Sequence, residues 1–321
     1  MKYVFFDIEC ACVYKCVAKI CAFGYVVTDE NYNVLAKEDI LVNPKGKFHL
    51  TDRKGGQGIV LPYEYSEFTS RPLFPKEYPK IKALLEDKDA IVLGHATLND
   101  VNYLNLETRR YRLPSFRFEY LDTQFFYMNV VGDYAHQIGL GGMAEKLNVD
   151  FVPHRAADDA YATMRVCEAL CKRENTDVKG LVERYKIRAG KLNNYKIRVP
   201  DSAGLQNYYR ERERIRAKRA KAREEFYRFV NKHNNRKRKA QGGAYDGKVF
   251  CFAKEIENDV PCSVKLLGAI YASGGKYTSH PQECDVYVAH ETGGVRYDHA
   301  VDSGAVFMPF TEIVASLDGM Q

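Results

Sequence analysis

The first part of the chain alternates apolar runs with polar connections. Aromatic and β-branched residues are concentrated at 2–6, 20–28 and 34–42, which predicts three strands of a hairpin or meander. The segment 43–79 is rich in proline, glycine, tyrosine and serine, so it predicts a long loop.

Beyond residue 80 the pattern alternates between helical and strand-like segments. Apolar spacing predicts helices at 81–86, 99–109, 142–147, 156–172 and 178–188. Short apolar runs at 90–94 and 118–121 predict two more strands. Strands followed by interleaved helices indicate an α/β fold, with a mixed sheet flanked by helices.

A strongly basic segment follows. Residues 205–239 predict a helix, and between Arg210 and Lys239 there are 14 Lys or Arg residues against 4 Glu. The net charge of the chain is +6, so the remainder, with 34 basic and 38 acidic residues, is slightly acidic. Two interpretations stay open: a solvated helical spacer, or a surface that contacts nucleic acid. The candidate contacts are Arg216, Lys218, Arg219 and Arg223.

Length and composition are those of a globular protein with two domains. The chain has 321 residues, of which 45% are hydrophobic and 28% charged. It has no leader-like segment and no apolar stretch near the roughly 18 residues of a spanning helix, so we expect a cytoplasmic protein without a membrane partner. Nine cysteines fit a reducing compartment. Four crowded cysteines lack the paired spacing of zinc sites, which favours small buried residues over a metal cluster: Cys10, Cys12, Cys16 and Cys21.

The first candidate for chemistry is the pair Asp7 and Glu9, which follows the apolar run YVFF. Alternate residues of a strand share a face, so these carboxylates point the same way with Cα atoms about 7 Å apart. Adjacent negative charges repel unless a cation lies between them, and oxygen ligands of this type suit Mg²⁺ or Mn²⁺. Two surface acids without a metal are the other interpretation.

Two later segments carry further candidates. Asp100, in GHATLND, is predicted in the first turn of a helix at the carboxyl end of a strand, where sites of α/β proteins collect. Compensation of the helix dipole is the alternative. In PHRAADDAYAT, His154 and Asp159 are roughly 140° apart on a helix, so they converge only if His154 lies in the preceding loop. The adjacent Asp158 is predicted to stabilise the helix N-terminus instead.

These three motifs, in this order, resemble the DEDDh exonucleases, which have a ribonuclease-H-like fold. The resemblance covers residues 1–172 and includes the LDT and GLGGMAEKL segments before the third motif. It implies a 3′–5′ exonuclease in which four acids hold two divalent ions, Mg²⁺ or Mn²⁺, and a histidine is the general base. The implied ligands are Asp7, Glu9, Asp100 and Asp159, and the implied base is His154.

The chain departs from that family at two places. Cys10 and Ala11 stand where many members carry threonines that touch the terminal nucleotide. Ala96 and Asn99 stand where the second motif often has Asn and Phe. Both differences leave the five catalytic residues intact and concern nucleotide preference.

Residues 245–318 resemble a BRCT domain. The predicted order is strand, helix, Gly-Gly, short strand, strand, helix, strand and helix, and Gly274 and Gly275 suit the tight turn from helix to strand. The Thr/Ser-Gly pair that binds phosphate in some members corresponds to Ala253 and Lys254 here. The resemblance therefore implies a docking module in which phosphate recognition is not expected.

The predicted organisation has three parts: an exonuclease domain at 1–190, a basic helical linker at 191–243 and a small α/β BRCT-like domain at 244–321. The expected partners are a nucleic acid with a free 3′ end and a replication or repair protein. DNA is preferred over RNA because BRCT-like modules belong mostly with DNA replication and repair. An RNA-trimming ribonuclease is the alternative in the same class, and a catalytically inactive nucleic-acid-binding scaffold is the alternative of another class.

Overall fold

The computed structural model describes residues 1–14, 17–46, 61–149, 153–234 and 243–318. The chain divides into two compact units, Met1–Tyr209 and Arg210–Gln321. None of the helices in these ranges is long and apolar enough to cross a membrane. Of the four crowded cysteines, Cys10 and Cys21 are free thiols, and the buried Cys21 donates to the Glu9 carbonyl. The side chains of Cys12 and Cys16 lie outside the described part.

Seven strands form the sheet of the first unit: β1 (Lys2–Tyr14), β2 (Val17–Asp29), β3 (Val34–Leu41), β4 (Ala90–Gly94), β5 (Phe118–Asp122), β6 (Gly190–Asn193) and β7 (Lys196–Arg198). Their order is β3-β2-β1-β4-β5-β6-β7. The first three strands are antiparallel, β1, β4 and β5 are parallel, and β6 and β7 return antiparallel. This mixed sheet confirms the predicted fold class.

The described residues up to Asn234 form eight helices: α1 (Tyr65–Thr69), α2 (Phe74–Leu85), α3 (Leu98–Arg110), α4 (Thr123–Val131), α5 (Leu140–Lys146), α6 (Ala156–Arg173), α7 (Val178–Arg184) and α8 (Ala203–Asn234). Helices α2 and α3 pack on one face of the sheet, and α4 to α7 pack on the other. Strand β1 lies between both layers, so Phe6 enters one core and Phe5 the other. Because β1 is buried on both faces, its first residues form a continuous run of apolar side chains.

The predicted loop at 43–79 is wrong in its second half, where α1 and α2 form. Four apolar residues at helical spacing are buried in α2: Phe74, Tyr78, Ile81 and Leu85. Burial of this face outweighs Pro79, which lies inside the helix, and Pro75 falls in the first turn, where no N–H is needed. Residues 47–60 of the predicted loop lie outside the described part.

Four parallel strands form the sheet of the second unit: β8 (Val249–Phe252), β9 (Lys276–Tyr277), β10 (Val286–Ala289) and β11 (Val306–Pro309). Their order is β11-β10-β8-β9. The accompanying helices are α9 (Lys254–Asn258), α10 (Val260–Ala272), α11 (Val295–Asp302) and α12 (Phe310–Asp318). The BRCT assignment stays a prediction.

The predicted linker at 191–243 differs from the structure at both of its ends. Strands β6 and β7 extend the first sheet, because Leu192 is buried in its core. At the other end, Phe226 and Val230 of α8 are buried in the core of the second unit. The basic helix is therefore part of the second unit from Arg210 onward, and its apolar face has a packing role there.

Candidate active site

Strand β1 carries Asp7 and Glu9 beyond its apolar start. It pairs with β2 so that Asp7 lies opposite Gly24 and Glu9 opposite Ala22. The intervening Ile8 is buried in the core on the opposite face of the sheet. The two carboxylates therefore share the face that α6 covers, as the alternation of a strand requires.

Helix α3 brings Asp100 to the same place. Asp100 is 4% exposed, lies in the first turn of the helix, and accepts a hydrogen bond from the backbone N–H of Ile8. The turn before α3 is held by Asp122, whose carboxylate accepts from the N–H groups of Ala96 and Thr97 at 3.1 and 2.9 Å. Asp122 also caps α4, so the LDT segment has a structural role.

The third motif supplies His154 and Asp159. His154 lies in the loop before α6, with a φ of 77°, and its backbone N–H donates to the two Asp159 carboxylate oxygens at 3.1 and 3.3 Å. Asp159 is in the first turn of α6. One ligand atom each from Glu9, His154 and Asp159 lies within 4.8 Å of the others. His154 therefore lies in the loop before α6, as its spacing from Asp159 predicted.

Three residues that the sequence did not single out set the position of α6. A Cβ on Gly24 would lie 1.9 Å from the carbonyl carbon of Ala156, so only glycine lets this helix start against β2. Asp39 accepts from the N–H of Ala157 at 2.7 Å, and the Tyr63 hydroxyl accepts from the N–H of Ala156 at 3.0 Å. The isolated glycine within the strand-like run CAFGYVVT was the available signal.

The pKa values of the four carboxyl groups are all raised. Burial is the largest cause at each, followed at Asp7 by the charges of Asp100, Asp159 and Glu9. Burial with Asp159 and Asp39 nearby raises the pKa of Glu9 to about 8, and burial raises the pKa of Asp159 to about 7. The pKa of Asp100 is raised by burial and by Glu9.

No salt bridge among the described residues involves any of these four carboxylates. Two basic side chains pair with other acids: Arg155 with Asp39 at 3.0 Å and Lys37 with Asp158 at 2.6 Å. Oxygen donors without a cationic partner fit hard divalent cations such as Mg²⁺ or Mn²⁺. The donor set is therefore chemically suited to the metals that the resemblance implies.

His95, in the GH of the second motif, is structural. Its Nδ1 is 3.0 Å from the Thr123 hydroxyl and its Nε2 is 3.1 Å from the Ile138 carbonyl oxygen. Burial lowers the pKa of His95 to about 4, so the ring is neutral near pH 7.

The predicted nucleic-acid residues of α8 lie in the second unit and are exposed: Arg216, Lys218, Arg219 and Arg223. In the same unit the buried Glu257 compensates two other cations. Its carboxylate is 2.5 Å from Lys254 Nζ and 2.6 Å from Arg296 Nη2. Lys254 therefore has a carboxylate partner within the unit.

Residues 4–167 match the sequence profile of the exonuclease family RNase_T, which is just over half of the chain. The chain belongs to the RNase_T exonuclease family. This match confirms the prediction that the first unit contains an exonuclease domain. The BRCT-like prediction for the second unit is not covered by this match.

Two known proteins are similar to parts of the chain. A "DNA polymerase III PolC-type" of Streptococcus pyogenes is 27% identical over 133 residues, which are 38% of this chain and 9% of the polymerase. The chain thus spans under a tenth of that relative's length. The crystal structure of a full-length 3′-exonuclease has the same fold over 63% of this chain and 91% of its own, with a TM-score of 0.50 and 17% identity. The predicted ribonuclease-H-like fold is thereby confirmed.

Proposed function

We propose that this protein hydrolyses DNA from its 3′ end and releases nucleoside 5′-monophosphates. The observation that carries the proposal is the convergence of four carboxylates with raised pKa values beside the imidazole of His154. The proposed metal ligands are Asp7, Glu9, Asp100 and Asp159, and the proposed general base is His154.

The carboxylate set fits a pair of Mg²⁺ or Mn²⁺ ions. Such a pair, when bound, stabilises the attacking and the leaving oxygens of an in-line displacement at phosphorus. The protein contributes a preformed set of oxygen donors from β1, α3 and α6. Because Ile8, Gly24 and Asp39 hold these elements together through backbone contacts, the donors are positioned before any substrate arrives.

His154 is proposed to take the proton of the attacking water. The water oxygen forms a bond to phosphorus, the bond from phosphorus to the 3′ oxygen of the preceding nucleotide breaks, and that oxygen leaves as the new 3′ end. An imidazole accepts a proton near neutral pH, and the partly exposed ring can return it to solvent. The two hydrogen bonds from its backbone N–H to Asp159 hold the loop in place.

DNA is proposed as the substrate because the relative from Streptococcus pyogenes is named as a DNA polymerase. The strand and helix order of the second unit supports a BRCT-like module that docks a replication or repair protein. The departures at Cys10, Ala11, Ala96 and Asn99 leave the proposed ligands and base unchanged.

The test is degradation of matched 5′-labelled DNA and RNA oligonucleotides with Mg²⁺. We expect DNA to shorten one nucleotide at a time from the 3′ end, and Asp159→Asn to abolish this activity. Asp158→Asn is the matched control, because Asp158 lies in the same helical turn as Asp159 but its carboxylate pairs with Lys37 of β3. Faster degradation of RNA than of DNA would assign RNA trimming to this protein instead. Degradation of neither oligonucleotide would favour the catalytically inactive, nucleic-acid-binding scaffold.

A further inference from the structure

Three arginines of α8 line a groove on the second unit. Arg216, Arg219 and Arg223 are spaced i, i+3 and i+7, so they share one face of the helix. With Tyr227 and Asn258 they line a surface cavity of about 510 Å³. Lys218 is about 160° away from Arg216 around the helix and is not part of this groove. The structure thus separates the four basic residues that the sequence grouped together.

The charges of these arginines are not compensated within the described residues. Three salt bridges lie close to them on α8: Arg214–Glu211, Lys221–Glu225 and Arg228–Glu224. All three use basic residues from outside the groove. Glu224 borders the groove, but its carboxylate is 2.6 Å from Arg228.

Like charges at i, i+3 and i+4 on a helix repel and lower its stability. A row of three exposed arginines is therefore unfavourable for α8 unless an anion lies against it. Three other cations of the same helix, Arg214, Lys221 and Arg228, pair with glutamates, whereas the three arginines of the groove form no salt bridge among the described residues. This arrangement points to a polyanionic ligand.

The length of the row indicates what kind of anion fits. From Arg216 to Arg223 the helix rises about 10 Å, which is longer than the spacing of neighbouring phosphates along a nucleic-acid strand. Each guanidinium can donate two parallel hydrogen bonds to a phosphate. A single phosphate cannot span the distance of about 10 Å from Arg216 to Arg223, so it would leave at least one of the three arginines without a ligand.

We propose that this groove binds the sugar-phosphate backbone of a nucleic-acid strand. The identity of the ligand rests on the proposed function, since the first unit acts on nucleic acid. The groove adds affinity that is independent of base sequence and sensitive to salt.

The test is binding of a fluorescent 20-nucleotide oligothymidylate to the full chain in EDTA, measured by anisotropy over a range of NaCl concentrations. The triple variant R216Q/R219Q/R223Q is compared with R214Q/K218Q/K221Q, which removes the same charge from the opposite side of the helix. For three lost phosphate contacts we expect the groove variant to bind about 10²-fold more weakly at 0.1 M NaCl. The slope of the logarithm of the binding constant against the logarithm of the NaCl concentration should be smaller in magnitude by about 2. The control variant should change the affinity by less than about fivefold.

Equal losses in both variants would overturn the proposal, because overall charge and not the groove would then attract the strand. Unchanged binding of the groove variant would also overturn it. Displacement of the strand by a polyglutamate peptide as readily as by unlabelled oligothymidylate would assign the groove to acidic peptides instead.

Hydrolysis of the p-nitrophenyl ester of thymidine 5′-monophosphate with Mg²⁺ separates the groove from the active site. This small substrate does not reach beyond the active site, so the groove variant should hydrolyse it at the wild-type rate. Absence of hydrolysis by the wild type would refute the proposed function and leave the binding comparison interpretable.

Discussion

Replacing Glu9 by glutamine should stabilise the metal-free protein while abolishing its activity. Burial and the nearby charges of Asp159 and Asp39 raise the pKa of Glu9 from 4.5 to about 8. At pH 7 the unfolded chain has released this proton, whereas the folded protein retains it. Taking up the proton on folding costs about 3 kcal/mol at pH 7, and glutamine, which has the shape of the neutral acid, avoids that cost.

The pH dependence follows from the direction of the shift. Below pH 4.5 Glu9 is protonated in both states, so glutamine should make no difference. As the pH rises from 4.5 towards 8, the unfolded chain releases the proton before the folded one does, and the stability of the wild type falls relative to the variant. The advantage of glutamine is therefore largest at pH 8 and absent at pH 4.

Thermal unfolding in EDTA at pH 4, 7 and 8 measures this difference. For the 209 residues of the first unit, about 3 kcal/mol corresponds to a rise in Tm of roughly 6–12 °C at pH 7. Glu145→Gln, at an exposed position of α5, is the control and should change stability by less than about 0.5 kcal/mol. A Glu9→Gln protein that is no more stable than the wild type at pH 8, or equally stabilised at pH 4, would refute the reasoning.

Three further results are expected. Gly24→Ala should lower activity at least about 100-fold and cost roughly 3 kcal/mol of stability, since its Cβ meets the backbone of Ala156. Gly268→Ala, which has open space around it inside α10, should leave activity unchanged and raise stability by up to about 1 kcal/mol. His154→Asn, which tolerates the positive φ, should lower kcat by about 10²–10⁴-fold yet retain the rise in Tm that Mg²⁺ produces; loss of that rise would make His154 a metal ligand and not the base. Mg²⁺ affinity should increase between pH 6 and 8 with release of protons, because the carboxyl groups, whose pKa values are raised, must ionise to bind the metal. Calorimetry in buffers of different ionisation enthalpy measures the proton release, and an affinity that does not depend on pH would contradict the prediction.

Several features of the site could be predicted from short stretches of sequence. Asp7 and Glu9 share a face because a strand alternates. His154 had to precede α6 because two residues five positions apart on one helix point roughly 140° away from each other. The prediction that Asp7, Asp100 and Asp159 form one site came from the family resemblance, because no local pattern relates segments so far apart in the chain. The first half of α2 was assigned to a loop because its prolines outweighed its apolar spacing, whereas its second half was predicted as the helix at 81–86.

Only the tertiary structure decided the chemistry of these groups. The pKa of Glu9 depends on burial and on Asp159 and Asp39, which lie far from it in the chain. The role of Gly24 depends on the approach of α6, and the groove of α8 depends on Asn258 of α9. Periodicity is set by neighbours within a few residues, so the sequence shows it directly. Electrostatic energies depend on distances between remote segments, and long-range packing sets those distances.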